Sequence, residues 1–331
     1  MNRELPNVCM RAAPRVQFPA ATDSNSPAFW DGDVLYVFNS AGHPYRARGP
    51  GLLELGPAEP AAFDNTVNGG RWMEAVWRAD DRVLYGWYHH EPAGLCPGTN
   101  LTAPKIGAAR SGDNGATWTD LGFVLEARPG TLRCDAKNGY FAGGHGDFCV
   151  FLDPEQRYLY ILFGNYAGGL EEQGVAAARM KWEDRDSPVG NVWKWHNGGW
   201  TEPGLGGNVT PIFGAFTAWE REDCDAFWGP SVHWNVYLQQ YVMFLNRASG
   251  AGWVQVGIYV SFSSDLADPC SWSQPRKVLD GGAWYPQVIG IGDELKGTDK
   301  LAGRHARFFM GGVSEYEIEF VRAGEHPQAH G

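Results

Sequence analysis

The feature that most limits what this chain can fold into is a strand-turn-strand unit written five times. The clearest copy spans residues 144–165, GHGDFCVFLDPEQRYLYILFGN. It opens on a lone acid, Asp147, runs through an apolar strand from Phe148 to Leu152, turns at Asp153-Pro154-Glu155 and returns from Tyr158 to Phe163. The layout recurs at 26–39, 73–88 (with its turn at Asp80-Asp81), 229–246 and 285–312. One such unit cannot bury its apolar faces alone, so five copies must pack on one another. Further apolar runs after each hairpin bring the units toward four strands. The expectation is an all-β chain, a five-bladed β-propeller with four-stranded antiparallel blades around a central channel.

Composition agrees with strands rather than helices. Aromatic residues make up 14% of the chain, with 15 Trp, and there are 44 Gly. Trp, Tyr, Phe and Val favour strands, and Gly punctuates turns while weakening helix interiors. We read residues 1–331 as one domain: an irregular N-terminal segment 1–22, the ring, and a flexible tail 322–331. Within the N-terminal segment, Arg15 to Phe18 can pair with the last strand, which would close the ring and protect its edge. Residues 46–60 read as an irregular Pro/Gly run, and 271–278 as the outer strand of the fourth unit. A sixth blade hidden in 196–224, or a division into two domains, is the alternative.

The net charge is −11. Nucleic acid and anionic membrane need a basic face, so neither is expected as a partner. No window approaches a membrane span, and the first residues lack an apolar signal core, which leaves a cytoplasmic protein or one whose leader has been removed. The six cysteines form no C-x-x-C pair, so a zinc site is not expected. Cys96 and Cys134 flank the second unit in loops and can bridge in an oxidising compartment, whereas Cys149 reads as a buried thiol.

In a propeller the first strand of each blade lines the channel. Aligned on their apolar cores, the five strands place Ser26, Met73, Asp147, Gly229 and Tyr285 at one ring position. Asn25, Trp72, Gly146, Trp228 and Trp284 precede it; Pro27, Glu74, Phe148, Pro230 and Pro286 follow. Indole and phenol rings beside inward carboxylates suit a sugar: the rings pack on its C–H faces and the acids move protons.

Two motifs carry a resemblance. The unit D-x-x-V-F-x-D-x-x-x-x-Y-L-Y at 147–160 and W-G-P-S-V at 228–232 resemble inner strands of the five-bladed propeller glycosidases of the arabinanase, xylosidase and invertase type. The segment SGDNGATW at 111–118 resembles the Asp-box of sialidases and other propellers, where the Asp caps a turn and the Trp packs between sheets. The glycosidase resemblance implies three acids: a first-blade Asp as base or nucleophile, a third-blade Asp that tunes and orients, and a fourth-blade Glu as acid. Asp147 matches the third-blade Asp. At the other two positions stand Asn25-Ser26-Pro27 and Trp228-Gly229-Pro230, with Asp23 and Asp225 the nearest acids.

The candidate catalytic residues are therefore Asp147, Glu74, Asp23, Glu91 and Asp225, with the pair built from Asp147 and either Asp23 or Glu74. Each has a plainer reading beside it. Asp147 can cap strand ends, Glu74 can pair with Arg71, and Asp23 can belong to a simple turn. Candidate substrate contacts are Asn25, Trp72, His90, His145, Trp228, Trp284 and Tyr285, although some tryptophans must pack between blades. His89 and His90 point to opposite faces of their strand, so they cannot both serve one site. His233 reads as a core histidine or, through the resemblance, as a ligand for a structural calcium in the channel; no cofactor is required.

The functional expectation is a glycoside hydrolase acting on a neutral poly- or oligosaccharide, arabinan-, xylan- or fructan-like, in a monomer or weak homo-oligomer. A non-catalytic carbohydrate-binding propeller and a polysaccharide lyase using His90, His145 and Tyr285 are the alternatives. A sialidase would need three convergent arginines, and Arg71 alone lies near the inner strands.

Overall fold

The computed structural model describes residues 4–79, 82–292 and 295–327. The turn at Asp80-Asp81 and the end of the C-terminal tail lie outside the described residues. The described chain forms five antiparallel sheets, the blades of a five-bladed β-propeller. From the channel outward, blade one is Ala28–Asp31, Val34–Ser40, Pro44–Gly49 and Glu59–Pro60. Blade two is Gly69–Arg78, Leu84–Pro92, Lys105–Ser111 and Thr117–Leu125, with Ala62–Phe63 added in parallel. Blade three is His145–Leu152, Tyr158–Asn165, Gly174–Lys181 and Val192–His196, extended by Gly199–Pro203. Blade four is Asp225–Asn235, Gln240–Ser249, Val254–Ser263 and Arg276–Asp280.

Blade five is built from both ends of the chain. Gln287–Gly290, His305–Met310 and Val313–Val321 are completed by Asn7–Gln17, which pairs antiparallel with the last strand. The closing strand begins eight residues before the expected Arg15 and stops at Gln17. The 46–60 run is more ordered than its Pro and Gly content suggests, since it completes Pro44–Gly49 and supplies Glu59–Pro60. The segment starting at Ser271 opens instead with a short 3-10 turn, Pro269–Ser271, before the strand Arg276–Asp280. Residues 196–224 form no sixth blade; they supply the added strand of blade three and the short pairing Phe213–Gly214.

Alternation along each inner strand builds the core. In blade three Phe148, Val150 and Leu152 face blade two, packing with Ala75, Tyr85 and Trp87, while Cys149 and Phe151 face blade four, packing with Phe227 and Val232. Every residue of that strand is buried, which explains its unbroken apolar run. Burial pushes the Cys149 thiol up to about 12. Similar clusters join blades four and five, five and one, and one and two.

In 111–118, Asp113 accepts the Thr117 backbone N–H at 2.9 Å and its hydroxyl at 2.7 Å. Trp118 is buried against Phe38 of blade one. Cys96 and Cys134 form a disulfide that ties the loop after Leu84–Pro92 to the segment preceding His145–Leu152.

Candidate active site

Three inner strands break their register at the same level of the ring. The irregularities fall between Met73 and Ala75, Gly146 and Phe148, and Trp228 and Ser231. A bulge turns its extra residue out of the strand's alternation and re-aims the side chain. The residues re-aimed are Glu74 in blade two and Asp147 in blade three; in blade four the position falls to Gly229. Asp147 has φ +44° and Tyr285, at the equivalent place in blade five, φ +59°. Neither value is comfortable for a side chain, and such conformations persist where the surroundings over-determine them.

What over-determines Asp147 is a cluster of hydrogen bonds drawn from three blades. Tyr166 donates its hydroxyl to Oδ2, and Tyr285 donates to Oδ1 at 3.1 Å. The Asp147 backbone N–H donates to His89 Nδ1 at 3.1 Å, and the next N–H, of Phe148, donates to Glu74 Oε2 at 2.8 Å. His89 Nε2 lies 3.0 Å from Glu91 Oε1. Gly146 makes the close approach feasible, because a Cβ there would lie 2.4 Å from His89 Cε1.

His89 Nδ1 faces two groups with opposite demands. Asp147 N–H requires a lone pair there, whereas Glu74 Oε1, at 3.4 Å, would require a hydrogen. The shorter bond, whose hydrogen is fixed by the backbone, decides the neutral tautomer: the ring proton lies on Nε2, toward Glu91. Burial works against a charged ring, but Glu74, Glu91 and Asp147 together outweigh it and hold its pKa well above the ordinary value. A second proton therefore enters at Nδ1 at the expense of the Asp147 N–H bond.

The acids have unlike surroundings. Burial, only partly offset by His89, raises Asp147 to about 7, with Glu74 adding to the rise and the Tyr166 hydrogen bond opposing it. Burial also raises Glu74, against the hydrogen bond and charge of His89. Both are essentially shut off from solvent. Asp23 lies at the mouth and keeps an exposed surface, yet the enclosing walls first, then the charges of Asp147 and Glu91, raise it to about 6. Glu91 is half-buried and shares a hollow of about 270 Å³ with Trp72, Asn100 and Thr102. Tyr166 and Tyr285 are raised by burial and by Asp147, so both keep their hydroxyl hydrogens.

The structure thus brings Asp147, Glu74, Asp23, Glu91 and Tyr285 into one electrostatic neighbourhood. Glu74 pairs with His89 rather than Arg71, which turns instead to Asp120 at 3.0 Å. Asp225 does not join them: Arg247 holds both its oxygens, at 2.9 and 2.8 Å. His90 faces away, toward the Gly70 carbonyl and Phe123, as alternation from His89 requires. His145 also faces away, bonding the Gly144 carbonyl, and burial followed by the nearby Lys194 lowers its pKa. Asn25 spans the channel, donating to the carbonyls of Phe148 and Pro230. Trp228 is 1% exposed, enclosed by Trp253, Trp284 and Tyr285, so it offers no face to a ligand. Trp72 and Trp284 remain half-buried.

His233 packs against Phe244 and Phe320 between blades four and five, and burial lowers it to about 3. Its apolar setting fits the core reading, and among the described residues no cluster of three His, Cys, Asp or Glu ligands includes it. Glu74, His89 and Asp147 do bring ligand atoms within 4.8 Å of one another. They fit calcium poorly, since calcium takes six to eight oxygens and this trio supplies a nitrogen and carboxylates already engaged by Tyr166, Tyr285 and Phe148 N–H.

His89 and Tyr166 were not among the sequence candidates. His89 was discoverable in principle, since one of two adjacent histidines had to face the channel. Tyr166 lies beyond the hairpin's second strand, and nothing in its local sequence marks it.

The arrangement defines the class: a five-bladed β-propeller whose channel mouth gathers carboxylates, a histidine and two tyrosines. No protein-family model matches the chain, and no curated protein matches it in sequence. Among solved structures it is similar to a Cellvibrio cellulosa α-L-arabinanase, with TM-score 0.54 and 10% identity over 90% of this chain and 91% of that one. It is similar to a thermostable family-43 glycoside hydrolase, with TM-score 0.53 and 11% identity over 92% of both chains. An exo-β-1,3-galactanase from Phanerochaete chrysosporium gives TM-score 0.51 and 12% identity over 92% of this chain, which spans 63% of that protein. Likeness at this identity establishes the shared fold.

Proposed function

We propose that this protein is a glycoside hydrolase acting on a neutral poly- or oligosaccharide of the arabinan, xylan or fructan kind. The observation that carries the reading is the convergence of Asp23 and Glu91 at one mouth of the channel, close enough for Glu91 and the deeper Asp147 to raise Asp23. Two reachable carboxylates in unlike environments are what glycoside hydrolysis needs. The names of the structural neighbours, an arabinanase and a galactanase, support the same class of substrate.

In this reading Asp23, at about 6, gives its proton to the departing sugar oxygen. Glu91, which accepts from His89 Nε2, acts as the carboxylate that attacks or that deprotonates water. Asp147 tunes the pair from behind and is held in place by Tyr166 and Tyr285. Glu74 is fully enclosed and orients His89. This departs from the resemblance, which gives the first-blade Asp the base role: here the first-blade Asp23 takes the acid role that blade four lacks at Gly229, and Glu91 of blade two takes the base or nucleophile role. Trp72 and Trp284 are the half-buried rings beside the mouth on which a sugar would pack.

The test is release of reducing sugar from arabinan, xylan, β-1,3-galactan and inulin by the intact chain and by Asp23→Asn and Glu91→Gln. Turnover on one of these, lowered about 100-fold or more in both variants, is the expected result. Binding without turnover would replace the reading with a carbohydrate-binding propeller. An ultraviolet-absorbing unsaturated product would replace it with a lyase.

A further inference from the structure

We propose that the opposite mouth of the channel is a second binding site, for a neutral saccharide. The inner strands carry the acid cluster at their starts, and their far ends open on a different hollow. From Asp147 to Asp153 the strand covers about 20 Å, so the two mouths are separate sites. The far hollow has a volume of about 560 Å³, larger than the one beside Glu91, and its walls are mainly apolar. Four blades each bring an aromatic residue to it: Trp30 from blade one, Trp77 from blade two, Phe151 from blade three, Trp234 and Tyr241 from blade four.

The rings are set as walls rather than stacked on one another. Trp77 meets Phe151 edge to face at 5.7 Å, and Trp234 meets Tyr241 at 4.8 Å. The three indoles are half-buried and each lies near the far end of its inner strand, next to fully buried residues: Phe29 beside Trp30, Val76 beside Trp77 and His233 beside Trp234. Lys296 Nζ lies over the Trp30 ring at 5.7 Å, so Trp77 and Trp234 are the partly open indoles set as platforms for the C–H face of a sugar ring.

Charge decides the class of ligand. The cations around this mouth each have an acid: Arg78 with Asp31 at 2.8 Å, Lys296 with Asp33 at 2.9 Å and Lys300 with Asp299 at 2.5 Å. Among the described residues that line the hollow, no cation is left without an acid for a uronate, sulfate or phosphate. Lys300, nearly buried in the wall, gives one hydrogen to Asp299 and keeps others for hydroxyls. Apolar faces with a few paired polar groups favour a neutral sugar over an acidic one.

The experiment follows the indole N–H signals of the intact ¹⁵N-labelled chain during titration with α-1,5-arabinotriose, β-1,3-galactotriose and tri-galacturonic acid. Trp77→Phe and Trp234→Phe, which keep a ring in place, assign two signals by their disappearance. Those two signals are expected to shift with a neutral trisaccharide at millimolar concentration, and Trp77→Ala to weaken that binding about tenfold. The proposal is overturned if the two signals stay fixed up to about 20 mM, where even weak sugar binding would register. It is equally overturned if the acidic trisaccharide moves them more than the neutral ones do. Hydrolysis at the other mouth is not part of this readout, so the two readings fail separately.

Discussion

Tyr285 of blade five donates its hydroxyl to Asp147 of blade three at 3.1 Å, while Tyr166 holds the other carboxylate oxygen. Hydroxyl donors favour the charged carboxylate, and Tyr166 already holds the Asp147 pKa below where burial alone would put it. Tyr166→Phe should therefore raise the Asp147 pKa further and carry the dependent limb of the pH–activity profile upward. Carboxyl ¹³C titration of Asp147 in both proteins checks the direction. Losing the buried hydroxyl should also cost about 1–3 kcal/mol in chemical denaturation.

Asp147 makes stability depend on pH in a defined sense. Its folded pKa of about 7 lies above the ordinary 3.8, so the folded chain holds the proton more tightly. The stability it contributes is complete below about pH 4 and is lost as pH rises through about 7. Asp23, raised to about 6, acts in the same direction over a narrower window. Asp147→Asn should flatten the decline between pH 4 and 7 by a few kcal/mol, read as the change in urea midpoint across that range.

Asp225 provides an internal control for the proposed catalytic acids Asp23 and Glu91. Asp23→Asn and Glu91→Gln should each lower kcat/KM by about 10² to 10⁴. Asp225→Asn should leave it nearly unchanged, since its partner is Arg247. That partly exposed pair is worth about 1 kcal/mol or less, visible as a small loss in Tm. Equal losses in all three variants would break the assignment.

The Cys96–Cys134 bridge spans 38 residues. Closing a loop of that length stabilises the fold by up to about 4 kcal/mol through the unfolded chain's entropy. Cys134→Ser should lower the denaturation midpoint accordingly, and a thiol reductant should remove the difference between the two proteins.

Much of the fold was legible because strand alternation and turn chemistry are local. The hairpin at 144–165 shows its period in its own residues, and five copies leave few architectures able to bury them. The closing strand was placed correctly at the ring's edge but drawn too short, since Asn7 to Arg11 carry no alternation that stands out before Val321 and Phe320 pair with them. The acids were only partly readable. Glu74 and Asp147 sit on the expected inner strands at one level, while Asp225 is drawn away from them by Arg247, 22 residues further on, a pairing that no local pattern announces.

The sequence by itself determined the five-bladed architecture, the ring level of Asp147 and the absence of an acid at Gly229. Tertiary structure decided which groups share its surroundings. His89 reaches Asp147 because a bulge, a glycine without a Cβ and a neighbouring blade coincide, and Tyr166 and Tyr285 converge on it from positions 119 residues apart in the chain. Pattern along a chain reports which face a side chain takes. The pKa of a carboxyl depends on what the other blades bring to that face, and ring closure sets that distance.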